Sequence, residues 1–494
     1  MDELIMVYAN IKAVGGVVKH PVFLGWVSVL LCWFWFFVSF NSFDLSLSVT
    51  PYDHKRVMQV VLICLFTLCF CFREYRRSVS LLFQDRQLVY LWGVSLVSVF
   101  LSSLFSENPT HSLFASLHWL LLLSVFCAGF FMARDQLTSW VITGVLVLHA
   151  LMVFKALLFL VFEVSVGDSL NAALLYPGVE HYRFFNQIQV FLVPLIAIWA
   201  VRTNVKKIAY FFLFVNLLLA FCGGARGLLV GLLGAAVLAY LVLKPWRRDL
   251  QVMGLVALLA FAFYCAINQF VQFSGPSSDV LREHTSGRLT IWARLIDALD
   301  WSNFFIGKGE DAFSYHSFHR HEGHPHSSFL QFIYEWGAIG AIAAVAALVR
   351  VLYVAHKFCI CHDERFGEKN IYAGLLVSVL AAAIYSLFSG VVVMPIPQTL
   401  LFLFAGLLFG GVTGVSRVSE VGVPKIGFQK GSSSSCQSLA TGGVVLGVLL
   451  LYVGLCSAYL LQQAGAPEVF RGPRFWAEGA AFTGSFWPIV ENTF

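Results

Sequence analysis

FLGWVSVLLCWFWFFVSF, Phe23 to Phe40, runs for 18 residues without a charge. A helix of about 20 apolar residues crosses roughly 30 Å of hydrocarbon, so this stretch is long enough to span a bilayer. Comparable runs recur along the whole chain of 494 residues. The composition agrees: 59% hydrophobic, 12% charged, mean hydropathy +0.79, against about 25% charge in soluble domains. Backbone polar groups in lipid must be satisfied internally, which leaves helices or closed barrels, and no alternation of short strands and turns suggests a barrel. The expected fold is an all-α polytopic membrane protein of about 12–13 transmembrane helices, with one large periplasmic loop containing an amphipathic helix. The opening MDELIMVYANIKAVGGVVKHP lacks the parts of a cleavable signal, so the first span is expected to stay.

Spans are expected to begin near Phe23, Val57, Leu88, Leu113, Leu137, Phe184, Ile208, Leu228, Gln251, Phe329, Ile371, Thr399 and Gly442. With the N-terminus inside, every even-numbered turn is basic, from Arg73, Arg76 and Arg77 through Arg202, Lys206 and Lys207 to Lys357 and Lys369. The opposite turns, such as SENPTHS from Ser106 and MPIPQ from Met394, are poor in charge. Lysine and arginine concentrate in cytoplasmic loops, which sets the orientation. GSSSSCQS from Gly431 reads as a flexible linker before the last span, and the tail after Gln463 then faces outward. The chain divides into N-terminal transmembrane helices (1–183), central helices with an Arg-bearing periplasmic turn (184–272), a large periplasmic loop (273–328), helices following a His motif (329–413), and a linker, last helix and periplasmic tail (414–494).

Four polar clusters fall on the outer face. EHYRFFNQIQ, from Glu180, enters a span with Arg183, Asn186, Gln187 and Gln189. GGARG, from Gly223, is a tight turn carrying Arg226. In the large loop, DVLREHTSGRLTIWARLIDALD, from Asp279, has helical spacing at Leu289, Trp292, Leu295, Ile296 and Leu299, and carries Arg288. HPHSSFLQFIYEWG, from His324, sets His324 and His326 at the mouth of a span. Each cluster has an ordinary reading too. Arg183 suits an interface anchor, Asn186 and Gln187 suit interhelical hydrogen bonds, and Arg288 suits a solvated helix face. Arg226 is harder to dismiss, because neither adjoining span offers a carboxylate, and an arginine at an apolar boundary points to an anion or a wet cavity.

Together the clusters suggest an outward-facing anion site with a titratable histidine at its edge. Guanidinium binds phosphate through bidentate, charge-assisted hydrogen bonds, and histidine can accept a hydroxyl proton near neutral pH. No nucleotide loop and no carboxylate metal motif accompanies these groups. His316, His319 and His321 read as a solvated face, with a His-rich zinc site as the sharper alternative. Cys359, Cys361 and His362 lack a second ligand pair. No metal and no cofactor is expected.

HPHSSFLQFIYEWGAIG resembles the H-[NS]-x-x-L-x-x-x-x-E-x-G signature of the O-antigen ligase, O-antigen polymerase and protein O-oligosaccharyltransferase superfamily, with His326, Ser327, Leu330, Glu335 and Gly337 at its positions. Ser327 stands where Asn is usual. GGARGLLVGLL and SGRLTIW are similar to the family's two arginine-bearing elements, and YRFFNQIQVFLVPL to a segment of some ligases and protein transferases. The resemblance covers roughly residues 180–410, and the first five spans carry no motif. It implies a bacterial inner-membrane glycosyltransferase that moves a glycan from undecaprenyl pyrophosphate to a hydroxyl on lipid A–core, on a pilin-type protein or on another glycan, without a metal. In that role Arg226 and Arg288 clamp the pyrophosphate and His326 is the base, with Arg183, Asn186, Gln187 and His324 as substrate-binding residues and the large loop as a lid. The lipid bilayer is a partner and nucleic acid is not. Among acceptors, lipid A–core comes first, pilin second and a growing glycan third. A transporter of lipid-linked glycans is the non-enzyme alternative, which would favour internal repeats and polar groups through the full depth of the bundle.

Overall fold

Apolar sequence becomes helix here because lipid offers the backbone no other partner. A computed structural model describes residues 20–41, 51–166, 170–171, 175–176, 182–270, 273–274, 287–314, 323–361, 369–420 and 445–456. In chain order the helices are α1 (His20–Asn41), α2 (Pro51–Leu68), the short α3 (Arg73–Ser80), α4 (Arg86–Leu104), α5 (Pro109–Arg134), α6 (Thr138–Val166), α7 (Tyr182–Ile198), α8 (Lys206–Cys222), α9 (Arg226–Val242), α10 (Arg247–Phe270), α11 (Arg288–Asp297), α12 (Trp301–Ile306), α13 (Ser328–Cys361), α14 (Lys369–Ser386), α15 (Pro395–Glu420) and α16 (Val445–Cys456). Ten are long and apolar enough to cross a membrane by length and composition, and α9 and α16 are shorter apolar helices. The protein is an all-α polytopic membrane protein, and each of the thirteen expected spans coincides with a helix. One pair of two-residue strands, β1 (Leu170–Asn171) and β2 (Phe273–Ser274), joins two loops in parallel.

The packing is led by small residues, as lipid-embedded helices require. α5 lies against α15 so closely that a methyl on Gly406 would fall on the carbonyl of Phe126. α14 packs chiefly against α7 and α9, and its core positions Leu375, Val379 and Ala381 are fully buried. Phe23, Leu30 and Phe34 of α1 and Leu255, Leu258 and Leu259 of α10 are exposed, as suits a face in contact with acyl chains.

The helix ends sort into two groups. At one end Arg202 pairs with Asp249 at 2.5 Å, Trp246 donates to Asn370 at 2.9 Å, and Arg350 pairs with Asp85 at 2.8 Å. Apart from Arg350, which reaches from within α13, these groups lie in or beside the turns expected to be basic. At the other end lie the starts of α2, α5, α7, α9, α13 and α15 and the end of α14. The expectations resting on His316, His319, His321, His362, the linker from Gly431 and the tail after Gln463 lie outside the described residues.

The large loop is more than a surface helix. α11 starts at Arg288, capped by Gly287 in the left-handed region, and ends at Asp297. Its buried face is Ile291 and Leu295, which pack with Ala312, Phe313 and Tyr334, while Leu289 and Ile296 of the expected apolar stripe are exposed. α12 follows, and the chain then turns into the bundle at Gly307.

Candidate active site

The signature around His326 has a physical reading position by position. Ser327 Oγ accepts from the N–H of Leu330 at 3.4 Å, capping the start of α13. Glu335 is fully buried; Oε2 accepts from Gln331 Nε2 at 3.0 Å and Oε1 from the N–H of Phe313 at 3.3 Å. Gly337 breaks the helix, with φ +74° and ψ 167°. The carbonyls of the turn before it therefore turn to the large loop: Tyr334 O accepts from the N–H of Lys308 at 2.9 Å and Glu335 O from that of Gly309 at 3.0 Å. The fit is backbone against backbone. A methyl on Gly337 would fall on Phe305 O, and one on Gly307 on Glu335 O.

Beyond that clip, Glu310 and Asp311 are buried. Trp336 Nε1 donates to Glu310 Oε2, and His111 Nε2 meets Asp311 Oδ2 at 2.7 Å. The loop between α12 and Ser314 is thus bolted into the bundle.

His326 sits at φ +55°, one of three non-glycine residues among those described with positive φ. Such backbone strain collects at functional sites. The N–H of His326 donates to His324 Nδ1 at 3.2 Å, so that nitrogen is unprotonated and the His324 proton is on Nε2. The two rings meet edge to face with centroids 4.4 Å apart. His324 is buried and His326 half-buried. A methyl on Gly390 would lie 2.6 Å from His324 Cε1, so that glycine makes the space for the ring.

Gly390 belongs to the turn after α14, and other expected site residues meet the same turn. Arg288 Nη1 donates to Phe388 O at 2.8 Å. Gln187 Nε2 donates to Ser389 Oγ at 2.9 Å, and Ser328 Oγ to Ser389 O at 3.2 Å. Trp292 Nε1 donates to Pro325 O at 2.8 Å, tying the helix of Arg288 to the histidine stretch. Arg226 is half-buried at the first position of α9; a methyl on the adjacent Gly227 would lie 2.7 Å from Tyr385, one turn before Phe388. Tyr176 donates to Leu219 O at 2.6 Å and its ring lies tilted against that of Phe185, holding the turn of Arg226 to the start of α7. Arg183 is half-buried in the first turn of α7. Asn186 and Gln187 are buried, and Asn186 Oδ1 and Gln187 Oε1 have no hydrogen-bond partner among the described residues. Gln189 has the structural role: its Nε2 donates to Asn216 O at 2.7 Å, and Asn216 Oδ1 meets His149 Nε2 at 2.8 Å.

Residues 209–345 match a family model described as O-antigen ligase. Over that stretch the chain is similar to the O-antigen ligase family. The superfamily expected from the motifs is thereby borne out, while no curated protein and no solved structure matches the chain. The matched region runs from α8 into α13 and contains Arg226, Arg288, His324, His326, Glu335, Gly337 and the clip. Arg183, Asn186, Gln187 and the turn at Phe388–Gly390 lie outside it.

Two features were missed in the sequence. The turn SLFSGVVV, from Ser386, reads as the charge-poor end of a span, although it is where the site residues converge. The first five spans carry no motif, yet α2 begins at Pro51, not near Val57, and buries Asp53, His54, Lys55 and Arg56. Tyr52, Arg56, Gln59 and Ile63 recur at helical spacing and are all buried, which was the available signal. Among the described residues no three His, Cys, Asp or Glu stand together as a metal would need.

Proposed function

We propose that the protein is a glycosyltransferase of the O-antigen ligase type, moving a glycan en bloc from undecaprenyl pyrophosphate to a hydroxyl of lipid A–core at the periplasmic face of the bacterial inner membrane. The observation that carries this is the convergence on Phe388–Gly390: Arg288, Gln187 and His324 all meet one turn at one end of the bundle, in a chain similar over residues 209–345 to the O-antigen ligase family.

In this reading Arg226 and Arg288 hold the pyrophosphate and stabilise the charge that grows on it as the sugar–phosphate bond breaks. The acceptor oxygen attacks the anomeric carbon from the opposite side, inverting its configuration, and prenyl pyrophosphate leaves. His326 takes the acceptor proton, with His324 fixing its backbone. Arg183 and the free acceptors of Asn186 and Gln187 contact donor phosphate or sugar. No step calls on a metal. A transporter would need polar groups along a path through the membrane, whereas these gather at one end.

The test offers purified protein undecaprenyl-pyrophosphate glycan together with lipid A–core and a pilin, and weighs the products. Glycan on lipid A–core is expected. Glycan on pilin would keep the chemistry and change the acceptor, a lengthened glycan would indicate a polymerase, and an untouched donor would sink the transferase reading.

A further inference from the structure

Arg56 lies outside the matched region and in the first five spans, which carry no motif, yet it is 2% exposed in the interior of a membrane bundle. Burying a guanidinium there is costly unless its donors are met. They are met from several directions. Nη1 donates to Gln59 Oε1 at 2.6 Å and to Gln398 Oε1 at 3.0 Å; Nη2 donates to Tyr52 OH at 3.1 Å and to Val393 O at 2.5 Å. Val393 is three residues beyond Gly390, and the N–H groups of Val393 and Met394 both donate to Gly390 O. One side of this tight turn therefore meets Arg288, Gln187, Ser328 and His324, and the other is held by Arg56.

Gln398 extends the hold. Its Oε1 also accepts from Gln59 Nε2 at 3.0 Å and meets His118 Nε2 at 3.1 Å, while His118 Nδ1 meets Tyr452 OH of α16 at 2.5 Å. A small cavity of about 30 Å³ separates Arg56, His118 and Gln398 from Glu310, Asp311 and Gln331, room for a single water. Gln331 Oε1, buried among those groups, has no hydrogen-bond partner among the described residues. The arginine thus stands across one water-sized space from the acidic residues that bolt in the loop of Arg288.

We propose that Arg56 is a positioning residue of the transfer site: it fixes the Phe388–Met394 turn, and through it the spacing of Arg288 and His324–His326. The proposal rests on the transfer reaction above. Lysine keeps the charge but cannot donate from a planar fork to the turn and to Gln398 at once. Arg56→Lys is therefore expected to lower kcat by ~10²-fold, the penalty of a displacement near 1 Å at a reacting centre, with KM for donor changed by less than about twofold. Added guanidinium should restore part of the activity of Arg56→Ala and none of that of His326→Ala, a distinction that loss of folding would not produce. A folded Arg56→Lys with wild-type kcat overturns the proposal. Should the Arg56 variants fail to fold, Gln398→Met decides: it leaves the arginine but removes the shared acceptor, and an unchanged kcat overturns the proposal, where a fall of about tenfold supports it. A wild-type protein that transfers from no donor overturns the transferase reading instead.

Discussion

Arg288→Ala and Arg226→Ala will each reduce glycan transfer by ~10²–10³-fold, the usual effect of removing one electrostatic stabiliser of a developing charge. The leaving group is a pyrophosphate, whose charge increases as the sugar departs, so the loss should appear in kcat more than in KM. Arg288 is already aimed: one η nitrogen is occupied by Phe388 O at 2.8 Å, which fixes the plane of the guanidinium. For that reason Arg288→Lys should recover little, since an ammonium cannot keep the carbonyl and present a fork to phosphate together. Steady-state transfer with purified variants checks this, with folding followed by elution profile and thermal midpoint. A folded variant with wild-type turnover would remove that arginine from the clamp.

Gly337→Ala will destabilise the protein by roughly 3 kcal/mol or more, combining about 1–3 kcal/mol for an alanine in an extended, positive-φ conformation open essentially to glycine alone with the overpacking of a methyl against Phe305 O. Neither neighbour can yield, because the obstruction is backbone and the same segment carries the Lys308 and Gly309 hydrogen bonds. The consequence reaches the site, since the displaced segment supports Phe313 and Tyr334, the floor on which α11 and Arg288 rest. Gly307→Ala meets the mirror-image obstruction at Glu335 O and should behave alike. Thermal unfolding in detergent, read beside transfer, tests both. A Gly337→Ala protein with an unchanged midpoint would mean that the break in α13 is not what docks the loop.

The helices were legible because membrane spans are fixed by local composition: eighteen uncharged residues at Phe23–Phe40 admit one solution. The chemically distinctive residues were legible too, as arginines and histidines are conspicuous in an apolar chain. Their meeting point was not. Phe388, Ser389 and Gly390 contribute two carbonyls, a hydroxyl and a space for a ring, and backbone groups leave no mark in a sequence. The positive φ of His326 and the break at Gly337 are likewise imposed by tertiary docking. α2 misled for a further reason. Hydropathy places YDHKR outside the span, although helical periodicity continues through it to Gln59 and Ile63. Burial of Arg56 depends on partners more than three hundred residues away, Val393 and Gln398.

The most direct measurement is single-turnover transfer with saturating lipid-linked glycan, run side by side on the wild-type protein and His326→Ala. The account predicts product from the wild type and a loss of ~10²–10⁴-fold in the variant, as expected for removal of a general base, while donor binding persists because the arginine clamp is intact. Equal transfer by the two proteins would contradict the role of His326, and an unreacted donor with both would contradict the transferase itself.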